Sequence, residues 1–340
     1  MKILVYLEKS DVRGGIEIFV ERHIARLRAE GCEVAVVGDL RHETLDAPHV
    51  SCHASKTASV PNALEEPPFG AFDEIIVHKC TDVATLEKFP PEKTVLYIHD
   101  HEPICPRGYA YTPLKHNCTR PGGIWPCIFC APLCRGWKAA LGRVFSQKRR
   151  IAAMSKFKKI VVISQFMKSR LAANGVPPEK IAVEPPEIPR GSGGSGETDN
   201  IPDIDLLYVG QLVRGKGVQL LLAAMARMKT PRTLDIVGAG NMEGELKALA
   251  ARLGLSDRVR FRGFQSNPNG WMHKAKCVVV PSFWQEPYGL VAAEAVAAGR
   301  PVVAFAIGGL PEACGGKATL VPPGDVAALA RALDCEGAKR

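Results

Sequence analysis

Glu286-Pro-Tyr-Gly-Leu-Val-Ala-Ala-Glu294 places two carboxylates on either side of a glycine-containing turn and an alanine-rich helix start. The apolar run Cys277-Val-Val-Val-Pro281 ahead of it reads as a buried parallel strand. Pro287 fixes the backbone entering the turn, and Gly289 lets the chain approach a ligand closely. Backbone N–H groups of the helix that follows, at Gly289 and Leu290, can then face an anion such as a phosphate. Glu286 stands outside that helix and Glu294 in its first turns, so the two acceptors flank an anion rather than bind it. Carboxylates accept hydrogen bonds from sugar hydroxyls, and a diphosphate with a sugar at each end satisfies the whole arrangement. The competing reading is structural: Glu294 favours a helix N-terminus and Glu286 is a solvated loop charge.

Two glycine-rich stretches narrow the chemistry by what they lack. Gly210-x4-Gly215-Lys216-Gly217 resembles a nucleotide-triphosphate loop, but Gly217 stands where a hydroxyl residue would hold magnesium. Gly238-Ala-Gly240-Asn-Met-Glu243 begins like a dinucleotide fingerprint and then carries Glu where the third glycine belongs. Neither an NTPase nor a nicotinamide enzyme fits, and both stretches make sense as turns at strand ends.

The elements that must position these groups follow from apolar runs. Lys2–Tyr6, Glu33–Val37, Glu74–Val77, Thr94–Ile98 and Lys159–Ile163 alternate with helical stretches, and the alternation restarts at Asp205. A chain of 340 residues exceeds what one core usually organises. Two doubly wound α/β domains are expected, with ligands at the carboxyl ends of the strands. Gly14, His99, Gly210, Gly238 and Glu286 all fall there. Residues 1–186 are read as the first domain, with a Cys-rich insertion near 105–134, and 201–340 as the second. Between them, 187–200 is a flexible linker whose Gly191-Ser-Gly-Gly-Ser-Gly196 repeat also resembles an artificial junction.

Taken together, the order of motifs resembles the retaining glycosyltransferases of family 4. The likeness rests on Glu286 to Glu294 as an E-x7-E pattern, and on Leu206–Gly217, Leu234–Gly240 and Val259–Phe264 ahead of it. Gly14-Gly15-Ile16-Glu17, Ile98-His99-Asp100 and Val161–Ser164 extend it over nearly the whole chain. The resemblance implies a GT-B fold, two doubly wound Rossmann-like domains facing across a cleft. It implies transfer of a sugar from a UDP- or GDP-sugar to an acceptor hydroxyl with retained configuration, without a protein nucleophile or a catalytic metal. The acceptor class it suggests is a sugar or a lipid-linked glycan.

Residue by residue, the resemblance places Lys216 on the donor diphosphate, Glu286 on the donor sugar hydroxyls and Glu294 on the ribose. Gly289 and Leu290 meet the diphosphate through their N–H groups, Gly14 and Gly15 approach it from the first domain, and the turn at Gly263 and Phe264 lines the base. His99 lies near the reacting centre; without the resemblance, its neighbour Asp100 makes a structural pair the simpler reading. His101 adjoins it. The family's usual arginine after Gly210 is replaced by Gln211, with Arg214 as a substitute three residues on. Family members also send a further C-terminal helix back to the first domain, whereas only seven residues follow Leu333 here. These departures support an alternative: a non-catalytic nucleotide-sugar-binding or membrane-surface protein on a transferase scaffold.

Cysteine and charge are unevenly distributed. Of 11 cysteines, Cys105, Cys118, Cys127, Cys130 and Cys134 crowd one Pro- and Gly-rich segment, with His116 beside them. Cys127-x2-Cys130 has zinc-knuckle spacing, and four of the five can complete a thiolate tetrahedron holding structural zinc. Free thiols, a disulfide or an iron–sulfur cluster are the alternatives, the last disfavoured by spacing. Residues 103–178 hold 14 Lys and Arg and no Asp or Glu, against a net charge of +9 for the chain. Trp137, Leu141, Val144, Phe145, Ala152 and Phe157 recur near helical spacing there, with Arg143, Lys148, Arg149 and Arg150 on other faces. This reads either as a sheet-covering helix with a solvated basic side or as a docking surface for anionic lipid or a phosphate-bearing acceptor. Nucleic acid is disfavoured, since no aromatic platform or finger pattern interleaves the charges. The sequence carries neither an apolar run of membrane-spanning length nor a signal peptide, so the expected location is cytoplasmic, peripheral at the membrane's inner face if the basic surface docks there.

Overall fold

A computed structural model describes residues 1–7, 15–38, 69–111, 117–122, 124–133, 137–188 and 203–338. The expected linker repeat, Gly14 and Cys134 lie outside the described residues. The chain divides into two compact units, Met1–Pro186 and Glu187–Arg340.

In the first unit, runs of Ile, Val and Leu form β1 (Lys2–Leu7), β2 (Glu33–Gly38), β3 (Glu74–His78), β4 (Thr94–Ile98), β5 (Lys159–Val162) and β6 (Ile181–Val183). They pair in parallel in the order β2-β1-β3-β4-β5-β6. All five residues of β4 are buried, as expected of a parallel strand covered on both faces. The described helices of this unit are α1 (Gly15–Ala29), α2 (Val83–Leu86), α3 (Ile124–Ile128), α4 (Trp137–Met154) and α5 (Gln165–Ala172). α1 packs Val20, Ile24 and Leu27 against one sheet face, while Met154, Phe157, Met167 and Leu171 cover the other.

The second unit repeats the scheme. Its strands are β7 (Ile204–Val209), β8 (Leu234–Val237), β9 (Val259–Gly263), β10 (Ala275–Val280), β11 (Val302–Phe305) and β12 (Ala318–Val321). They lie parallel in the order β12-β11-β10-β7-β8-β9. Helices α6 (Val218–Met225), α7 (Glu243–Arg252), α8 (Pro268–Lys274), α9 (Leu290–Ala297), α10 (Leu310–Cys314) and α11 (Val326–Ala338) surround the sheet. Winding reverses between β1 and β3 in one unit and between β7 and β10 in the other. These switch points are where doubly wound sheets open a crevice for ligands. The architecture is that of the GT-B class, two Rossmann-like domains with six parallel strands each.

The basic helix departs from the expected face. On α4, Ala140, Val144, Gln147, Arg150, Ala153 and Met154 are buried, whereas Trp137, Phe145 and Ala152 are exposed. Arg150, expected on a solvated face, instead donates to the carbonyls of Thr81 (2.9 Å) and Pro103 (3.2 Å) and to Ser146 Oγ (2.9 Å). A guanidinium with five donors can be buried wherever enough oxygens surround it, so apolarity alone set the helix phase wrongly. Among the described residues no helix is long and apolar enough to cross a membrane.

Candidate active site

In the second unit the chemistry gathers at the switch point. β7 leads into the turn Arg214–Lys216, and the adjacent β10 leads into the segment that carries Glu286. The N–H groups of Phe283 (3.1 Å) and Trp284 (3.3 Å) donate to the Gly215 carbonyl and tie the two loops together. The Trp284 ring fills the space a Cβ at 215 would need. Gly217 is left-handed (φ 77°), and any side chain there would collide with the Pro281 carbonyl. The departure from the nucleotide-triphosphate loop at this position is therefore a packing requirement.

Lys216 Nζ donates to Glu286 Oε1 at 2.6 Å and lies 5.3 Å from the Trp284 ring centroid. The same oxygen accepts from Trp284 Nε1 at 2.9 Å. Burial alone would raise the Glu286 carboxyl. The Lys216 charge and the hydrogen bonds from Lys216, Trp284 and Ser282 outweigh it and hold the group below the ordinary carboxylate range. Glu286 is thus a fixed, ionised acceptor, unsuited to protonate a leaving group. Burial and then the Glu286 charge push the Tyr208 phenol up, and its hydroxyl donates to the Gln211 carbonyl at 2.8 Å.

Gly308, left-handed at φ 60°, packs against the Glu286 backbone so closely that a Cβ would strike it, and the Gly309 N–H donates to the Glu286 carbonyl at 2.8 Å. Gly289 (φ 114°) opens α9 with no side-chain cap, so the N–H groups of Leu290 and Val291 stand at a positive helix end, while that of Ala292 donates to the Gly289 carbonyl at 3.0 Å. Glu294 lies half-buried in the second turn of α9. Gly263 (φ 68°) ends β9, and Phe264 is 77% exposed. Arg214 does not join the Lys216–Glu286 pair; its exposed guanidinium reaches Glu245 at 3.5 Å.

In the first unit, His99 follows β4 and is buried. Its Nε2 lies 2.9 Å from Nδ1 of His78, the last residue of β3, and the rings stack with centroids 5.2 Å apart. Phe19 meets His99 edge-on at 4.8 Å, and His23 meets His78 at 5.5 Å. Burial, then the His23 and Lys79 charges, take the His99 imidazole down to about 3, and His78 is held low by burial and by His99. Both are neutral at ordinary pH, so one ring donates and the other accepts. Lys79, next to His78, has φ 50°, which a non-glycine residue rarely adopts. Gly15 is exposed at the start of α1. His101 is buried edge-on to Phe166 at 6.0 Å, away from the stacked pair.

The simple alternative for His99, a pair with Asp100, is not what forms. Asp100 accepts from the Glu102 N–H at 2.8 Å, and burial, then the Glu102 charge, push its carboxyl up to about 7. The folded chain therefore binds a proton that the unfolded chain releases above about pH 3.9. Stability falls as pH rises from there to about 7 and is level beyond. Asp100→Asn is expected to flatten that slope and to gain up to roughly 4 kcal/mol at pH 8. Urea midpoints across pH 4 to about 8 measure it, and an unchanged slope defeats the assignment.

His78, Trp284, Ser282 and the Gly308 turn were not singled out from sequence. His78 had a usable signal, since it ends the strand next to the one that His99 follows. The cysteines are less decisive. Cys105 and Cys118 lie near enough to raise the Cys130 thiol, after burial as the main cause. Yet among the described residues no three His, Cys, Asp or Glu side chains form a set that could hold a metal. Cys134 and His116 lie outside the described residues, and nothing in the site depends on zinc. Metal analysis of reduced protein decides the zinc expectation; absence of zinc and iron removes it.

The match to a family profile falls within the second unit. Residues 203–335 match the family profile for glycosyl transferases group 1. Glycogen synthase of Mycobacterium tuberculosis is 40% identical over 136 residues, 38% of this chain and 33% of that protein, so the chain spans about a third of that relative's length. A glycosyltransferase structure from Rickettsia africae superposes with a TM-score of 0.72 at 17% identity, covering 99% of this chain and 88% of that one. HepE of Anabaena, solved with UDP, gives 0.66 at 19% identity, covering 98% and 89%; it has also been solved with UDP-glucose.

Proposed function

We propose that this chain is a retaining glycosyltransferase that moves a hexosyl unit from a nucleotide diphosphate sugar to an acceptor hydroxyl in glycan synthesis. The observation that carries the reading is the Lys216–Glu286 pair at 2.6 Å, set at the switch point of a group 1 glycosyltransferase domain. Lys216 has three N–H donors, and Glu286 takes one. The others serve the diphosphate, whose oxygens gain charge as the glycosyl bond breaks. The uncapped first turn of α9 adds N–H donors to the same anion. Glu286, held ionised, accepts hydrogen bonds from donor-sugar hydroxyls, and Glu294 from the ribose. The departing phosphate oxygen takes the acceptor proton on the same face of the sugar, so no carboxylate nucleophile is used and configuration is retained. For His99, in the first unit, the proposed role is the one the resemblance implies, orienting donor sugar or acceptor, here with a neutral imidazole. Between UDP- and GDP-sugars, likeness to HepE, solved with UDP and with UDP-glucose, favours UDP.

A donor panel read by protection against thermal unfolding, followed by assay of nucleoside diphosphate release, tests this. Release from one activated sugar, with product of unchanged anomeric configuration, is the expected result. Glycoside cleavage without nucleotide overturns it in favour of a glycosidase. Protection without any release across sugar and lipid-linked acceptors overturns it in favour of a binding scaffold, the reading that Gln211 and the outward Arg214 support.

A further inference from the structure

Ten large apolar side chains stand exposed among the described residues, and five of them fall between positions 125 and 145. They are Trp125 (78%), Phe129 (73%), Leu133 (66%), Trp137 (48%) and Phe145 (60%). This clustering is not the scatter of single apolar residues found on any surface. α3, the turn Ala131–Leu133 and the start of α4 pack around Ala131, Ala140 and Val144, with Cys127 and Leu141 partly covered. These elements bury alanines and leave two tryptophans and two phenylalanines in water, the reverse of what their own packing would select. Trp125 and Phe129 stand four residues apart, a spacing that sets side chains on one side of a helical turn. Trp137, Leu141 and Phe145 repeat it along α4. Lys138 and Lys148 are exposed on the same helix, and the Lys138 ammonium lies 5.7 Å from the Trp137 ring centroid.

The charge around this surface selects the partner. Residues 103–178 hold 14 Lys and Arg and no carboxylate side chain; Arg149, Lys158 and Lys159 pair with Glu87, Glu74 and Glu184 and Arg150 is buried, while Lys138 and Lys148 stand exposed on the helix that carries Trp137 and Phe145. A second copy of the chain would bring that charge against itself. A polynucleotide would match the charge but not an apolar centre that includes Leu133, which has no face for a base to stack on. A layer of anionic headgroups over hydrocarbon answers both: rings settle at the boundary while ammonium groups meet phosphate.

We propose that this face of the first unit seats on an anionic lipid bilayer, with Trp125, Phe129, Leu133, Trp137 and Phe145 entering the interface and Lys138 and Lys148 meeting lipid phosphates. The chain then lies on the membrane through this surface. The proposal is independent of the transferase reading, because its measurement needs no donor or turnover.

The test is sedimentation of the full chain with vesicles of phosphatidylcholine, alone or with about 30% phosphatidylglycerol, at low and raised salt. Binding to the anionic vesicles, at least tenfold tighter than to the neutral ones and weakened by salt, is expected, with a blue shift of tryptophan emission. Trp125→Ser with Phe129→Ser is expected to weaken it about tenfold with far-ultraviolet circular dichroism unchanged. If that pair fails to fold, Lys138→Glu with Lys148→Glu decides, and loss of the preference for anionic vesicles is the supporting result. Binding indifferent to lipid charge, or wild-type binding by the folded variants, overturns the proposal. So does a concentration-dependent dimer that the double serine variant abolishes without vesicle binding, or an RNA homopolymer bound while vesicles are not.

Discussion

Lys216→Ala is expected to lower kcat roughly a hundred- to a thousandfold with a smaller change in donor KM, because it removes a cation placed where the leaving diphosphate gains charge. The same change strands the Glu286 carboxylate, whose side chain is 9% exposed. Breaking a buried pair in this way costs about 3–5 kcal/mol, and the 24% exposure of Lys216 puts this case at the lower end. The pH dependence gives a sharper signature. In the native chain the Glu286 carboxyl lies below its ordinary value. Its contribution to stability is therefore present above the unfolded carboxyl pKa of about 4.3 and is lost as pH falls through the lowered folded value. Without Lys216, burial raises that carboxyl and the sign reverses, so stability falls as pH rises above about 4.3. Urea midpoints at pH 5 and pH 8 are expected to separate in the variant, and adding Glu286→Gln to remove the stranded charge should restore much of the loss. Full kcat in a destabilised Lys216→Ala would reduce the pair to a structural tie and end the catalytic reading.

His99→Ala is expected to cost about a hundredfold in kcat, the order of loss that follows when a group positioning the reacting sugar is removed. His99 titrates at about 3, so it places no limb on the kcat profile between pH 5 and 9. A limb near pH 7 would belong to Asp100 and should vanish in Asp100→Asn. Stability has the opposite sign to the Asp100 case. A histidine held neutral by the fold leaves the unfolded chain binding more protons, so His99 and His78 both lower stability as pH falls from about 6.5. Replacing His78 tests how the ring is held. His78→Leu leaves a buried His99 nitrogen without its partner, at a cost of about 1–3 kcal/mol. His78→Asn keeps a polar group within reach and is expected to retain more activity and more stability. Unchanged kcat in His99→Ala, measured in saturating donor and acceptor, would show that the imidazole stack serves packing alone.

Much of the architecture was legible because it depends on local pattern. Unbroken runs such as Thr94–Ile98 and Cys277–Val280 are what strands covered on both faces require, and their alternation with helices specifies two doubly wound sheets. The turn residues were equally legible: Gly217 and Gly289 adopt left-handed backbone that other residues rarely tolerate. Lys216 and Glu286 could be named because each follows a predicted strand. Their direct pairing across 70 positions could not, since it exists only once β7 and β10 lie side by side.

Side-chain partnership was decided by the tertiary structure throughout. His99 ignores its sequence neighbour Asp100 and bonds His78, because β3 and β4 are adjacent strands and deliver both rings to one place. Trp284 clasps Gly215 and donates to Glu286, a role that nothing in its local spacing announces. On α4 the apolar period admitted Trp137 and Phe145 either as core or as part of a docking face. The fold buried Arg150 among carbonyl oxygens and left those rings outside. Local sequence thus determined which backbone elements form and in what order, since hydrophobic period and turn chemistry act over a few residues. Which side chains meet, and which are left facing water, depends on contacts between segments far apart in the chain, and only the folded sheets supply those.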